Sequence, residues 1–466
     1  MTAVELTHGA LMPLAAAGRE HDLTIVLGAG ASAPSGLPSW NEFVERILVD
    51  TRVVETPALA AKLLKGHDPQ ILLEAARAAA SEWEESLVTA LYPPENKPTP
   101  SSLHLAAAGH FIVAPERTTL ATLNYDILLE QALLNSTSST SSVSILTDAE
   151  LDPGSPSVHH LHGVITPDFS YEPIVSFADY ARLVSSDDPW QRLFLNDALE
   201  RGALLLMGTS YRDPDIRQWL HHIVNERQSA HPAIVLVVRE ALGLSHDEFD
   251  QAERALRGVW ESIGLTALTT HSFVDAAQIL REIAHLHHPK YAAPSDRADR
   301  LWIAHAQRFA PLQREYATEL DSARATMQRA LGTKVPQATL WLARSDGTIC
   351  RWASHDRHYR SVEDLHHITS GHDSKWLAGK ALGTERQILD NVHAAPHDTT
   401  RRRRSVLAVP VFVNDKSHPA FAGAVLTFGL SAPAEEYAAS QDDWAKVADE
   451  LAGTWGTRLS AHAFES

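Results

Sequence analysis

The polar residues of this chain that could do chemistry stand at the ends of short apolar runs. Residues 23–40 read LTIVLGAGASAPSGLPSW, an apolar run that stops at Gly28 and continues through Ala29, Gly30 and Ser32. With Ala33 in the third glycine's place this is a permissive dinucleotide fingerprint, in which glycines let backbone approach a phosphate. Pro34, Gly36 and Pro38 follow so closely that a continuing helix is costly, and the sequence predicts a loop over a ligand. The run from Thr118 ends in TLNYD, giving Asn124 and Asp126. The short HHLHG ends in His162 and Gly163, and ALLLMGTSYRDPD ends in Gly208, Thr209, Ser210 and Asp213. An amide carries both donor and acceptor, and an imidazole of ordinary pKa about 6.5 exchanges protons near neutrality. In open α/β sheets ligands sit beyond the carboxyl ends of the strands, so four strand ends supply one polar rim.

The elements that must carry this rim alternate. Apolar runs from Leu23, Thr118, Ser157, Ala203, Ala233 and Leu265 are mostly separated by helical stretches such as RQWLHHIVNE and FVDAAQILREIAHL. Continuous apolar strands between helices predict an α/β fold with a doubly wound, mainly parallel sheet. Residues 41 to about 92 carry helical periodicity and form a helical insert, and NSTSSTSSVS at 135–144 reads as an exposed loop. Periodicity lapses around 285–300, which places one domain at 1–290, a linker at 291–300 and a smaller α+β domain at 301–466. In the latter, Phe309, Leu312, Tyr316, Leu320, Ala323, Met327 and Leu331 make the stripe of a long amphipathic helix. That spacing allows pairing with a partner helix or packing within its own domain. A hairpin with Asp346-Gly347 at its turn, the strands SVLAVPVFV and AGAVLTFGLS, and a closing helix follow.

Composition bounds the partners. The 466 residues carry a formal charge of −18, which leaves no broad basic footprint for nucleic acid or an anionic membrane. RRRR at 401–404 reads as a solvated loop before a strand. A single cysteine, Cys350, excludes an internal disulfide framework and cysteine-based zinc sites and fits a reducing compartment, so a cytoplasmic location is expected. The N-terminus lacks the pattern of a secretory signal, and no apolar stretch reaches the roughly 18 residues of a membrane span.

From about residue 20 to 286 the chain resembles the sirtuin-like (silent information regulator) superfamily. The resemblance rests on GAGAS, TLNYD in place of a Gln-Asn-x-Asp motif, HLHG for the His-Gly pair and GTSYRDPD for the late Gly-Thr-Ser loop, all in order. Sirtuin deacylases usually have four zinc-binding cysteines and a Phe-Arg pair after the glycine loop. This region has no cysteine, reads GLPSW there, and has Leu123 in place of the Gln. In these departures it resembles prokaryotic sirtuin-like effectors that hydrolyse NAD in antiphage defence. The resemblance implies NAD as substrate, no metal, and His162 as general base. Asn124 would hold a water or ribose hydroxyl and Asp126 would orient the nicotinamide amide or stabilise positive charge. Gly28, Ala29, Gly30, Ser32, Gly208, Thr209, Ser210 and Asp213 would bind phosphates and ribose. A zinc-free protein deacylase and a non-catalytic nucleotide sensor are the alternatives.

Each residue also has a plainer reading. Asn124 or Asp126 before ILLE is a good helix cap, and Asp213 suits the helix containing IRQWL. His159 and His160 read as structural, and HLHH at 285–288 as a solvated helix end. Beyond residue 300 the arrangement, with Pro410 and Gly423, resembles a GAF-type sensor domain. An oligomerisation or packing module of similar α+β form is the alternative. The sensor reading implies a small-molecule, nucleotide or phage-derived trigger, and because an NAD-draining enzyme must be held idle, regulation through a homo-oligomer is expected.

Overall fold

The computed structural model describes residues 11–94, 97–136, 142–149, 154–186, 189–209, 214–227, 231–392 and 403–464. The chain divides into two compact units, one running up to Ala284 and the other from His285 onward.

The first unit is built on strands β1 (Asp22–Leu27), β2 (Thr118–Thr122), β3 (Ser144–Leu146) and β4 (Ser157–His160), a small hairpin β5 (Val164–Ile165) and β6 (Ser170–Tyr171), then β7 (Gly202–Met207), β8 (Ala233–Val238) and β9 (Thr266–Thr270). Seven of these form one sheet in the order β3-β4-β2-β1-β7-β8-β9, every pair parallel. All six residues of β7 and the last five of β1 are buried, as strands covered on both faces require. The chain winds outward from β1 to β2 and then β4, and returns to the opposite flank of β1 with β7. The switch point therefore lies between β1 and β7, where such sheets leave a crevice.

The insert comprises helices Trp40–Asp50, Pro57–Leu64, Pro69–Ala79 and Trp83–Leu91. Ser39 starts the first through a reciprocal capping box with Glu42, and Thr56 and Asp68 cap the next two ahead of first-turn prolines. Phe43, Ile47, Leu73 and Leu87 make its core together with Leu128 and Ile165. Two local expectations change. The glycines open onto a helical turn, Ala29–Ser32, and a 3-10 turn, Ala33–Ser35, rather than a loop. Pro34 lies in the first turn of the latter, where no N–H is needed, and Gly36 ends it at φ 81°. At the sheet edge, β3 begins in the last residue of the polar run read as a loop; residues 137–141 of that run lie outside the described residues.

In the second unit, helices Pro294–Gln307 and Phe309–Leu331 precede β10 (Gln337–Ala343), β11 (Thr348–Ser354), β12 (His367–Thr369), helix Leu377–Thr384, β13 (Ile388–Asn391), β14 (Ser405–Val413), β15 (Phe421–Leu430) and helix Gln441–Phe464. The stretch 291–300 is thus helical from Pro294, which takes the first-turn position that tolerates proline. The sheet is antiparallel, ordered β12-β11-β10-β15-β14-β13. Alternation along β10 sends Leu340 and Leu342 toward the long helices and Trp341 and Ala343 toward helix Leu377–Thr384. This α+β arrangement is consistent with a GAF-like domain. All seven residues of the Phe309–Leu331 stripe are buried in the core that holds Leu340, Trp352, Leu426 and Trp455. Its own domain covers the stripe, so pairing with a partner helix is not what that stripe serves. Among the described residues no helix is long and apolar enough to cross a membrane.

Candidate functional site

A cavity of about 380 Å³ opens at the carboxyl ends of β1, β2, β4 and β7. Of the eleven residues singled out by sequence, Gly28, Ala29, Ser32, Asn124, Asp126, His162 and Thr209 line it. Gly30 and Gly208 lie behind the wall, where Gly30 N–H donates to Gly208 O at 2.9 Å. A Cβ on Gly28 would stand 2.7 Å from that same carbonyl oxygen, and Gly208 itself has φ +69°. These glycines are required by the close approach of the two strand ends, whatever they also offer a phosphate. Ser210 and Asp213 lie outside the described residues.

Asn124 is held from every side. Its N–H donates to Thr122 Oγ1 at 3.0 Å, and its Nδ2 donates to Gly28 O at 3.1 Å and Ser32 Oγ at 2.8 Å. Its carbonyl receives His160 Nδ1 at 3.2 Å. A backbone carbonyl can only accept, so the Gly28 contact fixes which way the amide faces. Oδ1 is left as the acceptor Asn124 brings to the cavity wall.

Ser32 is the hub of a one-way chain. Ser101 N–H donates to His104 Nδ1 at 3.1 Å, which places the proton of a neutral ring on Nε2, 3.4 Å from Ser32 Oγ. Burial pushes the His104 pKa down to about 3, so the ring stays neutral. Ser32 Oγ–H in turn donates to Asp126 Oδ2 at 2.7 Å. With two donors received and one given, the hydroxyl has no capacity left for a phosphate. Asp126 uses its other oxygen to accept Leu128 N–H at 3.0 Å, so the cap reading and the site reading hold together, one oxygen each. Burial raises the Asp126 pKa, opposed by those two hydrogen bonds.

His162 follows β4, buried in the cavity wall with Tyr180 at 6.0 Å and Trp219 at 6.4 Å between ring centroids. Gly163 makes this turn possible: its φ is +78°, and a Cβ there would lie 2.2 Å from Glu172 O. Neither His159 nor His160 lines the cavity. His159 Nδ1 meets Asp148 O at 3.1 Å, and His160 Nε2 meets Glu130 Oε1 at 2.5 Å. Leu37, Phe43 and Leu91, from the insert and the segment leading into it, give the cavity an apolar side.

Sequence reasoning missed His104, Glu130, Tyr180 and Trp219. Ser101-x-x-His104 has capping-box spacing, and Glu130 interrupts the apolar run ILLEQALL; both signals are present but weak. His287 and His288 are exposed, and among the described residues no group of three His, Cys, Asp or Glu is placed to hold a metal.

An open parallel sheet with its polar residues at the switch point is the plan of nucleotide-binding α/β proteins. Residues 118–268, from the start of β2 into β9, match the family described as "SIR2-like domain". That match supports a sirtuin-like assignment for the first unit and, with it, NAD-related chemistry. Solved structures that share likeness with parts of this chain are distant. The GAF domain of an Acinetobacter phosphoenolpyruvate-protein phosphotransferase is 18% identical, with 35% of this chain and 92% of that one covered at a TM-score of 0.21. A free methionine-R-sulfoxide reductase from Neisseria meningitidis is 15% identical, with 38% and 99% covered at 0.20. No curated protein matches the chain.

Proposed function

We propose that this protein is an NAD glycohydrolase that cleaves NAD to nicotinamide and ADP-ribose. The observation that carries this reading is Asn124, gripped at its N–H, carbonyl and Nδ2 so that Oδ1 is presented to the cavity it shares with His162. The cavity suits the nicotinamide ribose, with polar groups on one side and apolar residues on the other. Nicotinamide in NAD is already a cationic leaving group, so the step needs a stabilised oxocarbenium-like ribose and an aligned water rather than a general acid. Asn124 Oδ1 accepts a hydrogen bond from that water or from a ribose hydroxyl, and His162 takes the proton released. The Asp126 carboxylate stabilises positive charge developing nearby. Thr209 adds a hydroxyl at the mouth of β7, where Ser32 is already committed.

The finer role, a regulated NAD-depleting effector in bacterial antiphage defence, draws on the missing zinc cysteines and on a second domain of sensor-like arrangement. The test is chromatography of NAD incubated with the pure full chain, with and without an acylated peptide. Equal nicotinamide and ADP-ribose without peptide support the hydrolase. Peptide-dependent O-acyl-ADP-ribose would make it a deacylase, and no turnover would leave a nucleotide-binding sensor.

A further inference from the structure

We propose that His160, paired with Glu130, is a positioning residue for the candidate reaction: its imidazolium clamps the Asn124 carbonyl and so aims Asn124 Oδ1 into the cavity. This inference rests on the hydrolase reading given above. The geometry is unusual for a residue beside, not in, the site. His160 is fully buried at the end of β4, with Nε2 2.5 Å from Glu130 Oε1 and Nδ1 3.2 Å from Asn124 O. With the Glu130 carboxylate ionised both neighbours are acceptors, so both ring nitrogens carry hydrogen, as the imidazolium provides.

The groups facing the ring from the surrounding elements are Glu130 on helix Leu128–Ser136, Asp126 just before it and the Asn124 carbonyl after β2, while His159, next on the same strand, points to its opposite face. Burial works against the charged ring, and Glu130 and Asp126 outweigh it, so the His160 pKa is raised. A buried pair of this kind is a costly way to fill a core, which apolar residues fill as well. What the pair supplies and an apolar pair does not is a donor aimed at the Asn124 peptide. A neutral His160 would have one N–H for two acceptors; the carboxylate would take it, turning a lone pair toward the Asn124 carbonyl.

The double variant H160L/E130M of the full chain separates the roles, because it removes the buried charges without leaving one unpaired. A pair that only fills the core predicts wild-type turnover once both are replaced. The clamp predicts a folded protein whose kcat falls about 10²-fold while KM for NAD moves less than about threefold, the signature of a misaimed group. Wild-type kcat in the folded double variant overturns the proposal. If that variant does not fold, E130Q decides. The clamp predicts that wild-type kcat falls as pH rises through the His160 pKa. The amide introduced by E130Q can donate to Nε2 and leave the neutral ring its proton on Nδ1, so activity persists at neutral pH and that alkaline fall disappears. An unchanged alkaline limb in E130Q overturns the clamp. Histidine ¹⁵N NMR provides a readout that needs no turnover. One ring, absent in H160Q, is expected to keep both nitrogens protonated above the ordinary pKa of about 6.5. A neutral ring there refutes the clamp even if the protein hydrolyses nothing, while absent NAD turnover with a doubly protonated ring refutes only the hydrolase reading.

Discussion

Replacing Ser32 by alanine removes the hub through which three buried groups are satisfied. The Asp126 carboxylate loses a 2.7 Å donor, Asn124 Nδ2 loses a 2.8 Å acceptor and His104 Nε2 loses its 3.4 Å contact. A hydrogen bond to a charged group is worth about 1.5–3 kcal/mol and a neutral one about 1, and the weak third contact adds little, so the loss is about 2.5–4 kcal/mol. At about 2–4 °C per kcal/mol for a domain of this size, the first transition should fall by about 10 °C. Asn124 keeps its bond to Gly28 O but gains freedom to swing, so kcat for NAD should drop about 10²-fold with KM changed less than about threefold. Differential scanning calorimetry and steady-state hydrolysis by S32A give both numbers. A tenfold rise in KM at unchanged kcat would refute the reasoning, because it would mean that Ser32 touches the substrate's phosphates directly.

Gly163→Ala combines about 1–2 kcal/mol of left-handed strain with a Cβ 2.2 Å from Glu172 O, so it should displace His162 and cut NAD turnover at least tenfold while secondary structure by circular dichroism persists. Acid should destabilise the first unit: burial lowers His104 to about 3 and His110 to about 4, so stability present above about pH 6.5 is lost as pH falls toward 4, read from urea midpoints at each pH. His160 has the opposite sign. Its raised pKa contributes stability that is fully present below about pH 6.5 and lost as pH rises through the folded value, a slope E130Q should flatten. Leu320→Ala, in the buried stripe of the second unit, should cost about 2–5 kcal/mol without changing mass by light scattering. A change in mass would return that stripe to an intermolecular role.

Most of the sheet was legible because strands such as Gly202–Met207 are apolar runs followed by glycine or polar residues, here Gly208 and Thr209, whereas the edge strand Ser144–Leu146, with two of its three residues exposed, offers no such run. The long helix was equally clear, since all seven stripe positions are buried. What the sequence left open were contacts between residues far apart in the chain. Ser32 reads as one more hydroxyl in a glycine loop, and only the arrival of Asn124, Asp126 and His104 from 72 to 94 positions away fills its valences. His160 reads as a bystander of His162 because nothing local reveals that Glu130, 30 residues earlier, meets it in the core. The short helical turns at Ala29–Ser32 and Ala33–Ser35 were hidden by prolines and glycines that end helices as readily as they start them.

The central claim is that Asn124 and His162 cooperate in water-dependent cleavage of the nicotinamide–ribose bond. Its most direct test is a time course of nicotinamide and ADP-ribose release by the full chain, run beside N124A and H162A, with folding of each checked by thermal melt. The account predicts one ADP-ribose per nicotinamide from the wild type without any acylated peptide, and loss of both products in each folded variant. Wild-type rates in either folded variant, or no product from the wild-type chain, would contradict it.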